Sequence, residues 1–478
     1  MLQKRMKEMA KVSVLEDNKM RTKPMGRLLA EMALPLILSM LVQALYNIVD
    51  SVYVAKITPG GEEAVAALSL AFPIQNLQIG FATGIAVGMN SLLSKSLGEG
   101  NRERANRAAG NGILLMLIAV AVFMLFGAFG SRPFYAMMTD VEKVVEGGTA
   151  YTSICCLLTV GIFVEVMGER LLQASGRTIY TLFTQGTGAV LNIILDPIFI
   201  FGFEPLGIPR MGIAGAAVAT VIGQWVAAIM AVIFNLTRNP DVKFALRYLR
   251  PSRKVVTKIL SVGVPSVLMM AIGSVMNLGM NKILLDIDAE TVGITGTAVF
   301  GLYFKLQSFV FMPVFGLNNA GISIVAYNYG ARQPKRITGA IKLVLLTALG
   351  IMLAGMVTFL LIPETLMSLF ANEEADSQAM VEMGVVALRT ICLHFPLAAI
   401  GIALGSSFQA LGVGIYSTIT SLCRQLVVLL PAAWLLSLSG DVDKVWLAFP
   451  IAEVFSLAVT LFFYRRIYKN RIKPLYQK

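Results

Sequence analysis

Apolar stretches of about 20 or more residues recur along the whole chain, separated by short polar connections. Hydrophobic positions within them show no period-two alternation, which excludes a closed membrane barrel. The pattern predicts an all-α polytopic membrane protein with twelve transmembrane helices, over 28–56, 65–95, 108–130, 149–172, 178–203, 211–236, 257–286, 292–320, 337–362, 380–409, 414–438 and 444–467. The shortest connections fall between the fourth and fifth segments and between the tenth and eleventh.

Four markers recur at nearly one spacing. QASGRTIY at 173–180 returns as QALGVGIY at 409–416, an offset of 236. Pro35 parallels Pro265 at 230, and Pro197 parallels Pro431 at 234. SLGEGNRERA at 96–105 parallels NYGARQPKRI at 328–337, each a basic turn after the second helix of its half. The expected organisation is an N-terminal segment 1–27, an N-lobe 28–236, a linker 237–256, a C-lobe 257–467 and a tail 468–478. Six spans return the chain to its starting side, so the two six-helix lobes should be related by a pseudo-two-fold axis along the membrane normal. The linker is polar and rich in basic residues, and a short surface helix is expected in it.

Composition agrees with the hydropathy. The chain is 56% hydrophobic and 14% charged, against about 25% charged in soluble domains. Thirty of its 40 Lys and Arg fall on one side of the predicted spans, eight of them in 1–27 and seven in 237–258. The positive-inside rule then places both termini in the cytoplasm, and the expected location is an inner or plasma membrane. The net charge of +12 is read as this topology signal, with no nucleic-acid partner. The first apolar stretch is longer than a signal-peptide core, so it is expected to stay as the first span. Cys155, Cys156, Cys392 and Cys423 lie in predicted helices and match no zinc spacing. No GxxxxGK[ST] stretch and no soluble catalytic domain is present. The expectation is a monomeric non-enzyme without an organic cofactor, driven by an ion gradient, a partner or the substrate's own gradient.

Two acids interrupt apolar segments: Asp50 in the first and Asp196 in LNIILDPIFIF of the fifth. An ionised carboxylate in hydrocarbon costs at least roughly 2.5–3.5 kcal/mol, which makes such positions functional candidates. Asp196 stands about seven residues before the outer end of its helix and Thr220 about nine into the next. At about 1.5 Å per residue, both share an outer layer with Asp50. Asn192 and Asp196 share a helix face, as do Gln43, Asn47 and Asp50, with Tyr46 nearby. Carboxylates among amide and hydroxyl oxygens suit a proton or a hard cation such as Na⁺, and hence a coupled transporter; the plainer reading is hydrogen bonding between helices. Glu165 and Glu169 form an i,i+4 pair; Glu169 abuts Arg170 and is expected at the interface, while Glu165 is a candidate cavity acid for cationic substrate. In the C-terminal half, His394 is a candidate titrating group or a packing residue. Lys305, Arg389 and Arg424 either pair with Glu453 or stand as cavity charges. The 25 Met and 26 Phe fit a pliable cavity for varied apolar ligands as well as plain packing.

At these residues the chain resembles the multidrug and toxic-compound extrusion (MATE) family, and within it the bacterial MepA-like branch. The motifs that carry the resemblance are PLILSMLVQALYNIVDSVYV, SLGEGNRERA, QASGRTIY, LNIILDPIFIF and GIAGAAVAT. The resemblance implies two lobes around a V-shaped cavity and antiport of amphipathic, often cationic drugs against H⁺ or Na⁺. It carries the N-lobe ion site onto Asp50, Asn192, Asp196 and Thr220. Pro35 and Pro197 are the expected bending points. The NorM branch has a Glu about eight residues after a Pro in its seventh helix. Here that place is near Gly273, so coupling is assigned to the N-lobe. The alternatives are a flippase for lipid-linked or other amphipathic precursors, which would need a more basic cavity, and a major facilitator fold, whose Gly–Asp–Arg–Gly–Arg run is missing.

Overall fold

The computed structural model describes residues 18–55, 61–287, 292–368 and 375–477. Among them, 11 helices are long and apolar enough to cross a membrane. A twelfth span results if Glu142–Leu157 and Val160–Ala174, bent by 45° to each other, are counted together. The fold is thus an all-helical polytopic membrane fold. Its main helices are α1 (Met25–Ala55), α2 (Gly61–Gly98), α3 (Arg102–Leu125), α4 (Glu142–Leu157), α5 (Val160–Ala174), α6 (Ile179–Phe201), α7 (Ile213–Arg238) and α8 (Arg253–Leu285). The series continues with α9 (Val292–Gly330), α10 (Pro334–Leu361), α11 (Ala375–Ile391), α12 (Phe395–Ala410), α13 (Ile415–Leu422), α14 (Leu430–Ser437) and α15 (Ala448–Ile467).

Two expectations need correction. The fourth segment is not one straight helix. The Leu158 carbonyl, at the break, accepts a hydrogen bond from Trp225 Nε1 at 3.2 Å, and Gly161 has no room for a Cβ against the same indole. A side chain from another helix inserted at the ladder is a recognised cause of such bends. The linker forms only a 3₁₀ turn at Leu246–Tyr248. Its backbone is held by α3 amides instead: Lys243 N donates to Asn106 Oδ1 at 2.8 Å and Ser252 N to Asn111 Oδ1 at 2.8 Å. Pro240 and Pro251 bracket the stretch and further discourage a helix.

The recurring sequence markers have recurring geometry. After α5, Gly176 has φ +78 and Arg177 N bonds the Leu172 carbonyl. After α12, Gly412 has φ +75 and Val413 N bonds the Phe408 carbonyl. Both are left-handed helix terminations closed by a 6→1 bond, where glycine avoids the Cβ penalty. The turns after α2 and α9 repeat the same pattern, with Gly100 at φ +67 and Arg332 at φ +55.

The first and last described segments lie at one face of the bundle, called here the terminal face. Arg336 donates to the Met20 and Lys23 carbonyls, each at 2.9 Å, and Tyr476 reaches Thr338 at 3.1 Å. At this face α2 packs against α8 and α9 backbone to backbone. A Cβ on Gly98 would collide with the Tyr327 carbonyl, one on Gly330 with that of Lys95, and one on Gly88 with that of Ile259. Small residues permit this approach where no hydrophobic effect drives helices together. Asn90–Ser323 (3.2 Å) and Ser91 to the Gln409 carbonyl (2.9 Å) add hydrogen bonds across the seam. Farther along α2 the seam loosens: a Cβ on Gly80 would meet only the Met270 side chain, at 3.7 Å. The helices are therefore closed together at the terminal face.

Candidate functional site

Glycines set the spacing of α6 and α7. A Cβ on Gly223 would lie 2.7 Å from the Gly188 carbonyl oxygen, and one on Gly215 would strike the Phe199 carbonyl. Between these two contacts the polar side chains meet. Asp196 is fully buried, and Asn192 and Thr220 are 3% and 8% exposed. With its amide oriented to suit its neighbours, Asn192 donates from Nδ2 to Asp196 Oδ2 at 2.8 Å. Its Oδ1 accepts from Thr220 Oγ1 at 3.1 Å and from Thr220 N at 3.0 Å. Pro197 follows at once and lies inside α6. It has no N–H for the Ile193 carbonyl, so the ladder is open beside the carboxylate.

Asn47 and Asp50 lie on α1, but their side chains fall outside the described residues. Gln43 and Tyr46 on the same helix are half-buried. Pro35 leaves the Glu31 carbonyl without its helical donor; Thr178 Oγ1 approaches that oxygen at 3.5 Å. The sequence expectation thus brings Asn192, Asp196 and Thr220 into one cluster.

Glu169 departs from expectation. It is 3% exposed, not interfacial. Its Oε1 accepts from Thr184 Oγ1 at 2.7 Å and its Oε2 from Gln185 Nε2 at 2.9 Å. Arg170 turns aside and donates to Gln173 Oε1 at 3.0 Å. Glu165 is half-buried one turn away. The polar Thr–Gln pair opening the fifth segment was the available signal for this cluster.

In the C-terminal half, His394 is 6% exposed. Its Nδ1 contacts the Ile391 carbonyl, and its ring stands 5.1 Å from that of Phe395 and 5.9 Å from that of Phe449. It is packed as a core ring. Arg424 Nη1 lies 3.5 Å from Glu453 Oε2, and Arg389 pairs with Glu364 at 2.8 Å. Lys305 is exposed.

Asp196 is thus a buried carboxylate held by the Asn192 amide, which Thr220 holds in turn, inside a bundle of membrane helices. The MatE family model matches this chain twice, over residues 35–198 and 265–435, between them most of its length. The chain belongs to this family, the multidrug and toxic-compound extrusion transporters. It is 26% identical to the FAD transporter of Shewanella oneidensis, covering 90% of this chain and 92% of that one. It is 24% identical to the multidrug export protein MepA of Staphylococcus saprophyticus, with the same coverage. A solved structure described as the outward-facing conformation of a multidrug resistance MATE family transporter of the MOP superfamily superposes with a TM-score of 0.86. That chain is 26% identical, and the match covers 98% of this chain and 99% of that one.

Proposed function

We propose that this transporter is a proton-coupled antiporter that exports amphipathic, often cationic organic molecules by alternating access. The observation that carries the reading is the Asp196–Asn192–Thr220 cluster. When Asp196 is ionised, Asn192 Nδ2 donates to it across 2.8 Å. When Asp196 takes a proton, a half-turn of the amide lets Asn192 Oδ1 accept from the carboxyl, and Nδ2 then donates to Thr220 Oγ1 at 3.1 Å. In that orientation Nδ2 also faces the Thr220 N–H, a second donor, at 3.0 Å, so taking the proton has to shift Asn192 against α7. Sodium would instead need oxygens turned to it from every ligand, as hard cations do.

Thirty of 40 basic residues argue for cytoplasmic termini. With that orientation, closure at the terminal face corresponds to the outward-facing state. A proton then enters from outside, is shared between Asp196 and Asp50 of α1, and relaxes the helices at Pro35 and Pro197. Substrate leaves outward, the lobes rock, and proton release inside restores substrate affinity. Uptake into reconstituted vesicles, with pH and sodium gradients imposed separately, tests this. Ethidium and FAD serve as substrates, FAD because one relative transports it. Transport should follow the pH gradient and be lost in Asp50→Asn and Asp196→Asn. Transport driven by sodium alone, or at wild-type rate in both variants, overturns the reading.

A further inference from the structure

We propose that Glu165 and Glu169, together with Thr181, Thr184 and Gln185, form a second station that takes one proton, in the terminal-face half of α5 and α6. The proposal rests on the proton-coupled reading above and gives the proton released inside a place to leave from.

The hydrogen bonds around Glu169 are one proton short. Thr184 Oγ1 lies 2.7 Å from Glu169 Oε1 and also 3.0 Å from the Thr181 carbonyl oxygen. A threonine hydroxyl has one proton to donate, so it cannot serve both acceptors. A proton on Glu169 resolves this conflict: the carboxyl donates to Thr184 Oγ1, and Thr184 donates to the Thr181 carbonyl. Two further oxygens lack donors. Thr181 Oγ1, on a residue with no exposed surface, and Gln185 Oε1 are buried without a protein partner. Buried polar atoms without partners are uncommon enough to need an explanation.

Charge gives the same count. Glu165 and Glu169 bring two negative charges and Arg170 one positive, so a single proton balances the group. Several basic groups nearby have partners of their own, and Arg177, in the turn between α5 and α6, pairs with Asp241 at 2.6 Å. No Lys or Arg lies within α6, and α7 carries only Arg238, at its last residue. On α2, Lys95 stands over the Tyr329 ring and near Glu99. On α3, Arg104 and Arg107 pair with Glu99 and Glu103, while Lys305 of α9 is exposed.

The internal repeat shows that the helix pair does not need these acids to pack. At the offset of 236, Glu165 and Glu169 correspond to Gly401 and Gly405, whereas Thr184 corresponds to Thr420. The second copy keeps the turn and drops the carboxylates. Gln185, Asn192 and Asp196 follow one another along one face of α6. The two stations are therefore about 17 Å apart along the helix, at about 1.5 Å per residue.

The test uses purified full-length protein in weak buffer with a pH-indicator dye, plus the same protein in vesicles under an imposed pH gradient. Ethidium is the probe. Glu169→Gln, and separately Glu165→Gln, should bind ethidium, keep the wild-type melting temperature within a few degrees, and release about one proton fewer per protein on binding. Gradient-driven efflux should fall roughly tenfold, inside the 5–150-fold range of typical coupling. A merely structural carboxylate would lower the melting temperature and leave proton release unchanged, which overturns the proposal. Loss of ethidium binding with full proton release would make this a substrate site, and that also overturns it. Asp196→Asn runs alongside. If it alone is defective, only the second station falls; if all variants behave as wild type, the coupling scheme falls with it.

Discussion

Glu169 and Glu453 are both 3% exposed, one in each half of the chain, yet their surroundings differ. Glu453 has a guanidinium, Arg424, at 3.5 Å. Glu169 has a hydroxyl and an amide, at 2.7 and 2.9 Å. Burying a charge is costly unless it is paired, or neutralised by a proton. Glu453 has a fixed cation beside one oxygen, Oε2, while its Oε1 is buried without a protein partner. Glu169 has only neutral donors on its oxygens, so its charge is best cancelled by something mobile. Asp196 likewise accepts from a neutral amide, that of Asn192. A duplicated scaffold has thus kept its turns and let its chemistry diverge.

The largest effect that would break this comparison is on Asp196. Asp196→Asn should reduce pH-gradient-driven efflux by about 100-fold, near the upper end of typical coupling energies, while membrane insertion persists. Glu453→Gln should leave the response to the gradient intact, even if the protein is less stable. Vesicle uptake with both variants at matched protein density checks this. Equal losses would mean that the two halves share the coupling.

Next comes stability in the C-terminal half. Removing one partner of a buried pair costs about 3–5 kcal/mol, whereas replacing both by apolar residues is often neutral. Arg424 is 29% exposed, so Arg424→Met should fall at the low end, about 3 kcal/mol. The double variant Arg424→Met, Glu453→Leu should recover most of that. Thermal unfolding of all three variants in one detergent measures the coupling. If the double variant is as unstable as Arg424→Met, the arginine has a role beyond neutralising Glu453.

A smaller effect is expected at Thr220. Its hydroxyl donates to Asn192 Oδ1 at 3.1 Å, one step from the carboxylate. Thr220→Val keeps the shape and removes the donor, at a cost of about 1 kcal/mol. That corresponds to a several-fold loss of gradient-driven rate, and substrate affinity should hold. A loss as large as that of Asp196→Asn would place Thr220 in direct contact with the coupling ion.

Much of the scaffold was legible because membrane helices must satisfy their own backbone within one long apolar run. The predicted fifth segment, 178–203, is Ile179–Phe201 in the structure. QASGRTIY and QALGVGIY located two turns whose glycines prove to have positive φ. The eighth predicted segment, 292–320, runs as α9 ten residues past its expected end, to Gly330, because Ser323 and Asn328 are buried against neighbouring segments. What local reading missed depends on contacts between distant residues. The bend at Leu158 comes from Trp225, 67 residues on. Glu169 was placed at the interface by its neighbour Arg170, whereas its true partners sit 15 and 16 residues later across a turn. Asn192, Asp196 and Thr220 were found because two of them share a helix face and the third lies at the same depth, and both facts follow from counting residues.

The smallest expected effect uses a third acid to set the baseline. Glu31 is 39% exposed and pairs with Lys19 at 2.8 Å and Lys23 at 2.6 Å, fastening the N-terminal segment at the terminal face. Its charge is cancelled by fixed cations, as for Glu453, but water reaches all three groups. Exposed pairs contribute about 0–1 kcal/mol, because solvent screens the attraction and two long side chains lose freedom. Glu31→Gln should therefore shift unfolding by no more than that and leave the gradient dependence of transport unchanged. The shift should shrink further in high salt. If Glu31→Gln instead slowed gradient-driven efflux, pairing with a cation would not be enough to remove an acid from the transport cycle. The contrast between Glu169 and Glu453 would then have to rest on position alone.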